Sequence, residues 1–494
     1  MMHDHGKSDR LIVPARPPNE AEPGKAKEVA EGESLAEGKA PERNMSRTQG
    51  RSGMFRALER IRQAARRDKG QRFTALLHHV YSVDTLKAAY FGLKRDAAAG
   101  IDGATWRQYG AELEGHLKDL SDRIQRRAYR AQPVRRAYIR KAGEPGKVRP
   151  LGVLVLEDKI VQRATAEVLS CVYEEDFVKF SYGFRSGRSP HQALDALSMG
   201  IIRRKVNWVL DADIRGFFDN LNHEWLVKFV EHRVADQRIV WLIQKWLKAG
   251  VLEEGKHRDT EMGTIQGGSI SPLLANIYLH YVFDLWVKQW RKTKARGDVI
   301  VVRFADDFVV GFEHRGDGER FLSELVERFS RFGLELHAQK TRLIEFGRNA
   351  EENRRNRGEG KPETFNFLGF THSCATTRKG KFVVLRQTMR KRWQAKLKAV
   401  KTELRRRMHT PVPDMGRYVR AVVLGHMRYY AVPMNAVSVS DFRMGVVRIW
   451  RRVLKRRSQT SHMPWTRMQR YIARWVPQTH VCHPYPWQRF GVIT

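Results

Sequence analysis

The stretch that most restricts this 494-residue chain is 298–312, Asp-Val-Ile-Val-Val-Arg-Phe-Ala-Asp-Asp-Phe-Val-Val-Gly-Phe. Val299–Val302 and Phe308–Val310 are β-branched and aromatic runs on either side of two adjacent carboxylates, Asp306 and Asp307. The pattern predicts a strand, a tight turn carrying both acids, and a returning strand. Two ionised groups at the tip of an apolar hairpin repel each other and resist desolvation. A divalent cation removes both penalties, and Mg²⁺ favours one or two carboxylates together with phosphate oxygens. An Asp-Asp turn can also do no more than cap its own backbone, so the remaining segments have to decide between the two readings.

Charge narrows the choice. The chain carries 91 Lys and Arg against 54 Asp and Glu, a formal net charge of +37. Such an excess repels itself unless it faces a polyanion. No apolar run is long enough to span a bilayer, so the expected partner is nucleic acid and no membrane is expected. The N-terminus lacks the apolar core of a signal peptide, and Cys171, Cys374 and Cys482 lie far apart without a C-x-x-C pair. These features predict a soluble, reducing, nucleic-acid-rich compartment.

In chain order, residues 1–54 contain no aromatic residue and are rich in Glu, Lys, Gly, Pro and Ala, which predicts a disordered tail. Helical patterns follow to Ile61, over Phe73–Leu93 and around Trp106–Ile124. Residues 134–152 predict a hairpin, with a strand to Ile139, a Gly/Pro turn, and a second strand from Val148. Lys141, Lys147 and Arg149 on that hairpin are either a solvated charged face or a triphosphate clamp. After a helix at 157–179, a Gly/Arg-rich turn, Ser181–Arg188, offers Arg185 and Arg188 to nucleic acid. The run 207–219 predicts a buried strand ending in acids. Period-2 alternation puts Asp211 and Asp213 on one face; either could be a ligand, and Asp213 stands nearer the strand end. The run 263–272 predicts a Gly loop, a Ser N-cap and a first-turn Pro opening a helix. From Thr388 the chain is helical and basic: residues 386–407 hold ten Lys/Arg against one Glu, and 448–457 hold six basic side chains among apolar ones. Arg390, Arg392, Lys396, Arg451, Arg452 and Lys455 are expected to contact phosphate backbones; binding to anionic lipid is the weaker alternative.

An acid from a strand end, acids from a hairpin tip and a Gly loop between them are what nucleotidyl transfer with two Mg²⁺ ions needs, Mn²⁺ being able to substitute. In their order and surroundings the motifs resemble the reverse transcriptases of group II introns, the intron-encoded maturases. The matching stretches include Gly100–Gly103, Arg149–Gly152, Ser181–Arg188, Asp213–Asp219, Gln266–Tyr278, Phe304–Asp307, Gly333–Leu336 and Phe367–Phe370.

The resemblance implies an α+β right-hand polymerase fold, with fingers and palm built on antiparallel sheet and helices, followed by an α-helical thumb and maturase domain. The implied organisation is a tail at 1–54, an N-terminal helical extension at 55–125, fingers and palm at 126–385, and thumb and maturase at 386–494. It implies that Asp213 and Asp306 ligate metal, helped by the Ile214 carbonyl, with Asp307 as the accompanying acid nearer the primer end. Phe218 is implied to exclude a 2′-hydroxyl, Lys141 and Arg149 to hold the triphosphate, Gln266 to touch the dNTP sugar, and Lys340 to protonate pyrophosphate. The implied partners are group II intron RNA, an RNA template with its DNA primer, dNTPs and target DNA. No Cys/His-rich nuclease segment is recognisable, which implies the endonuclease-lacking type, and the closing Thr479–Pro486 cluster has poor spacing for zinc. Two positions depart from the family: Phe304 replaces the usual Tyr before Ala-Asp-Asp, and Ile265 the usual Pro. Catalytically silent splicing cofactors, and reverse transcriptases freed from their introns, are the alternatives the sequence leaves open.

Overall fold

The computed structural model describes residues 45–140, 148–253, 256–258, 262–264, 266–458 and 462–489. Residues 1–44, Lys141, Lys147 and Ile265 lie outside them, as does the side chain of Arg149. The first described element is a helix, Met45–Arg67, which starts before the expected onset of order at Phe55.

The hairpin predicted at 134–152 is formed by β1 (Val134–Arg140) and β2 (Val148–Val153), with Ile139 opposite Arg149. Next come β3 (Trp208–Ala212), β4 (Val251–Glu253), β5 (Lys256–Arg258), β6 (Val299–Phe304), β7 (Asp307–Phe312) and β8 (Arg342–Glu345). The last strands are β9 (Phe365–Phe367), β10 (Phe370–Thr376) and β11 (Phe382–Thr388). They form three sheets, ordered β2-β1-β4-β5, β6-β7-β3-β8 and β11-β10-β9. β1 runs parallel to β4, a departure from the antiparallel pattern expected there. The predicted Ser cap is displaced as well: Ser271 is the first residue of the helix Ser271–Leu279, and Ile270 takes the N-cap position.

The sheet β6-β7-β3-β8 is buried on both faces at its β6 and β7 strands, which is why these read as nearly continuous apolar runs rather than alternating ones. Val299 and Val301 of β6 join one core, with helices such as Leu156–Asp176, Gln237–Leu247 and Arg315–Arg331. Ile300 and Val302 join a second core, shared with the helix Pro190–Arg203 and with the helices Arg390–Arg406, Val412–Tyr430, Ala436–Lys455 and Trp465–Trp475. The helices of residues 55–125 bury Leu86, Leu117 and Leu120 in the first core. They therefore fold onto the sheet-bearing part and share its interior. Among the described residues no helix is long and apolar enough to cross a membrane.

Several histidines are buried among these layers. Burial pushes His372 down to about 3, with the Arg386 charge adding to it, and His280 down to about 4. A histidine whose folded pKa is depressed stabilises fully above the unfolded value of about 6.5 and loses that contribution as pH falls toward the folded value. His372 is stacked on Phe365 with centroids 4.7 Å apart, so phenylalanine suits its place. His372→Phe should therefore gain on the wild type by about 1 kcal/mol for each pH unit below 6.5. Urea denaturation of both proteins at pH 7.5 and 5.5 reads that difference, and a gap independent of pH contradicts it.

Candidate active site

β6 and β7 form the predicted hairpin, closed by the pair Phe304 and Asp307, with Ala305 and Asp306 as the turn. Ala305 has φ +56, the left-handed conformation that tight hairpin turns need and that alanine adopts only under constraint. The constraint is Arg303. Its side chain is wholly buried and donates to the Ala305 carbonyl at 2.9 Å, to Asn276 Oδ1 at 3.0 Å, and to both Asp284 oxygens at 2.7 and 2.6 Å. Asp284 closes a π-helical turn, His280–Asp284, that interrupts the helix after Ser271. From the other side the Arg303 carbonyl accepts from the Tyr182 amide at 2.8 Å, and Asn276 Nδ2 donates to the Gly183 carbonyl at 2.8 Å. A Cβ on Gly183 would collide with the Ala305 amide, so only glycine lets this loop support the turn.

β3 lies beside β7 with Ala212 opposite Phe308 and Asp211 opposite Val309. Asp213 and Asp307 each lie one residue beyond this last pair, and the Asp213 charge acts on Asp307. Burial, and then the charges of Asp306 and Asp213, push the Asp307 carboxyl up to about 7, and the Arg392 guanidinium opposes them. Asp307 is nevertheless exposed to solvent. Water thus tempers the effect of enclosure, and crowding by like charges is the durable part of the shift. Asp213 Oδ2 accepts from Lys340 Nζ. Asp211, the other acid of the strand, is pushed up to about 6 by burial and faces Arg342 Nη2 at 3.7 Å. Both acids thus have a cationic neighbour, and of the two Asp213 acts more strongly on Asp307.

The donor set of carboxylate oxygens in mutual repulsion fits a hard divalent cation. Among the described residues no group of three or more His, Cys, Asp or Glu is already gathered into a metal cage. The Lys340 ammonium against Asp213 supplies positive charge there instead.

The other predicted residues divide. The Ile214–Leu336 bridge uses the Asp213 carbonyl, which accepts from the His337 amide at 2.8 Å, and the Arg215 amide; it does not draw on the Ile214 carbonyl. Phe218 is half-buried and edge-on to Phe217, and its carbonyl accepts from the Thr264 amide at 2.7 Å. The Gly loop is tied to the hairpin by the Gly152 amide, which donates to the Gln266 carbonyl at 2.6 Å. Gln266 Oε1 is buried without a protein partner. Arg185 is a correction: it is buried and donates to Glu174, to the Val178 carbonyl at 2.7 Å and to the Ser181 carbonyl at 2.8 Å, so its donors brace the loop rather than face nucleic acid. Arg188 is half-buried, its guanidinium 5.2 Å from the Tyr182 ring centre. Arg390, Arg392, Lys396, Arg452 and Lys455 are exposed. Arg451 is partly engaged, donating to the Met463 carbonyl at 3.0 Å and stacking on Trp465. Sequence reasoning does not single out Arg303, Asp284 or Asn276. A lone arginine inside Val-Val-Arg-Phe is the available signal, because a buried arginine needs acceptors on every side.

A family model described as reverse transcriptase (RNA-dependent DNA polymerase) matches residues 139–372, from the end of β1 into β10. Residues 139–372, a little under half of the chain, are similar to that family. The match implies the right-hand polymerase fold for this α+β segment. The chain is similar to the group II intron-encoded protein LtrA of Lactococcus lactis subsp. cremoris, 36% identical over 246 residues, which is 48% of this chain and 40% of that protein. It is also similar to protein YkfC of Escherichia coli K12, 36% identical over 239 residues, 43% of this chain and 62% of the relative. A 91 kDa protein in the cob intron of Schizosaccharomyces pombe is 38% identical over 172 residues, 34% of this chain and 21% of the relative. The matches thus span between about a fifth and three fifths of these relatives' lengths.

Removing one partner of a buried pair leaves the other charge stranded. Asp284→Ala should therefore cost the protein about 3–5 kcal/mol, enough to lower the urea midpoint sharply. A midpoint equal to that of the wild type contradicts the role given to Arg303.

Proposed function

We propose that this chain is an RNA-directed DNA polymerase encoded by a group II intron, and that it also binds the intron RNA to assist splicing and mobility. The observation that supports the enzymatic half is the β3–β7 register, which ends at Ala212 opposite Phe308, one residue short of Asp213 and of Asp307. The similarity to intron-encoded proteins supports the rest. In this reading the partners are the intron RNA, an RNA template with DNA primer, dNTPs and target DNA, in the bacterial cytoplasm.

Asp213 and Asp306 would hold the divalent ions with the Ile214 carbonyl, and Asp307 would lie at the primer end. Two Mg²⁺ ions supply activation of the 3′-hydroxyl and neutralise charge at the phosphoryl group. The Phe218 ring fills the space a 2′-hydroxyl would need, and the Gln266 side chain offers its unpartnered oxygen to the sugar. Lys141 and Arg149 grip the triphosphate. Lys340 leaves Asp213 and gives a proton to the departing pyrophosphate. Fingers and palm then occupy 126–385 and the helical thumb and maturase region 386–494, with the exposed Arg390, Lys396, Arg452 and Lys455 along RNA phosphates.

Asp306→Ala with Asp307→Ala should abolish extension of oligo-dT on poly-rA with Mg²⁺, while RNA binding persists. A wild type that extends no primer on any RNA template contradicts the enzymatic reading. Phe218→Val should raise rNTP incorporation, and unchanged dNTP/rNTP discrimination removes Phe218 from that role. RNA affinity should fall by about 10³-fold between roughly 50 and 200 mM salt if six or more phosphates are contacted. A flat salt response shows that the basic helices do not engage RNA.

A further inference from the structure

Phe184 stands apart from the bracing residues around it. Its side chain is 59% exposed, and its backbone has φ +55, a conformation that bulky residues seldom adopt. Its neighbours do the bracing of the loop: Gly183 presses on the Ala305 amide, and Arg185 is engaged with Glu174, Val178 and Ser181. The ring is thereby held outward instead of being tucked into a core. It meets Phe304 with centroids 6.5 Å apart and planes at 44°. Phe304 is the residue that pairs with Asp307 to close the acidic turn. The two rings therefore make an apolar shelf at the edge of the carboxylate cluster.

A shelf of this kind in a chain of net charge +37 suits the uncharged part of a polyanion. Bases and sugars offer flat or apolar surfaces to aromatic rings, whereas phosphates seek the cationic groups. An apolar protein segment seated there would cover the acids and close the centre. We propose that Phe184, backed by Phe304, seats the terminal base pair of the primer–template duplex and so holds the primer 3′ end over Asp306 and Asp307. This rests on the polymerase reading and adds a positioning residue to it.

The test uses the full chain, a labelled RNA-template/DNA-primer hybrid, and the variants Phe184→Gly, Phe184→Ala and Phe184→Tyr. Glycine accepts the positive φ, so the Gly variant should melt at the wild-type temperature or above it. Without dNTP, the Gly and Ala variants should bind the hybrid about tenfold more weakly by fluorescence anisotropy, the size expected for losing one base contact. KM for the hybrid should rise while KM for dNTP stays within about twofold, and Phe184→Tyr should restore binding. A 2-aminopurine at the primer terminus should be brighter in the complex with the Gly variant than with the wild type. Equal affinity and equal emission for wild type and Gly variant overturn the proposal. A wild type that binds the hybrid through Phe184 yet never extends it overturns the polymerase activity and leaves the seat standing.

Discussion

Mutual repulsion of carboxylates is the constraint on which the rest of this structure depends. Asp213, Asp306 and Asp307 meet at the end of an apolar sheet, and Asp307 is pushed up to about 7 by enclosure and by the other two charges. Left to itself such a cluster would open the turn or move the strands apart. The surrounding protein prevents that with interactions stronger than the repulsion: a β ladder on each side of β7, a fully buried Arg303–Asp284 pair, and a loop whose glycine fits against the turn. The fold thus maintains a concentration of negative charge of the kind that a hard divalent cation would neutralise.

The scaffold is polar at its most buried point, which is unusual for a sheet lined by valines. Arg303 is tolerated inside β6 because Asp284, Asn276 and the Ala305 carbonyl together engage its donors. A π-helical turn brings Asp284 within reach, consistent with the frequent use of such irregularities at functional sites. The same region links the Gly/Arg-rich loop and the helix Ser271–Leu279 to the acidic hairpin. This linkage is also why Arg185, which looks like a nucleic-acid contact in sequence, belongs to the support of the site.

Much of this is legible in the amino-acid sequence alone. Two adjacent acids between valine-rich runs imply the hairpin, alternation implies that Asp211 and Asp213 share a face, and the one-sided basic composition after Thr388 implies helices bearing cations. These features are local, or set by composition, and so they survive in a single sequence. The pairing of β3 with both β7 and β8, which sets Asp211 opposite Arg342 and leaves Asp213 beyond the strand's end beside Lys340, could not be read from the sequence. The parallel β1–β4 pair, the shared core beneath the N-terminal helices and the Asp284–Arg303 pair all join residues far apart in the chain. No periodicity encodes such partners, although the isolated arginine in an apolar run marks that one is needed.

The claim that two distant segments share one cation site is tested most directly by Mn²⁺ binding, followed by electron paramagnetic resonance in the presence of primer–template. Asp213→Asn, on β3's end, and Asp306→Asn, in the β6–β7 turn, should each abolish the tight fraction of bound Mn²⁺ seen in the wild type. If either variant retains Mn²⁺ as the wild type does, the two segments do not form a common centre.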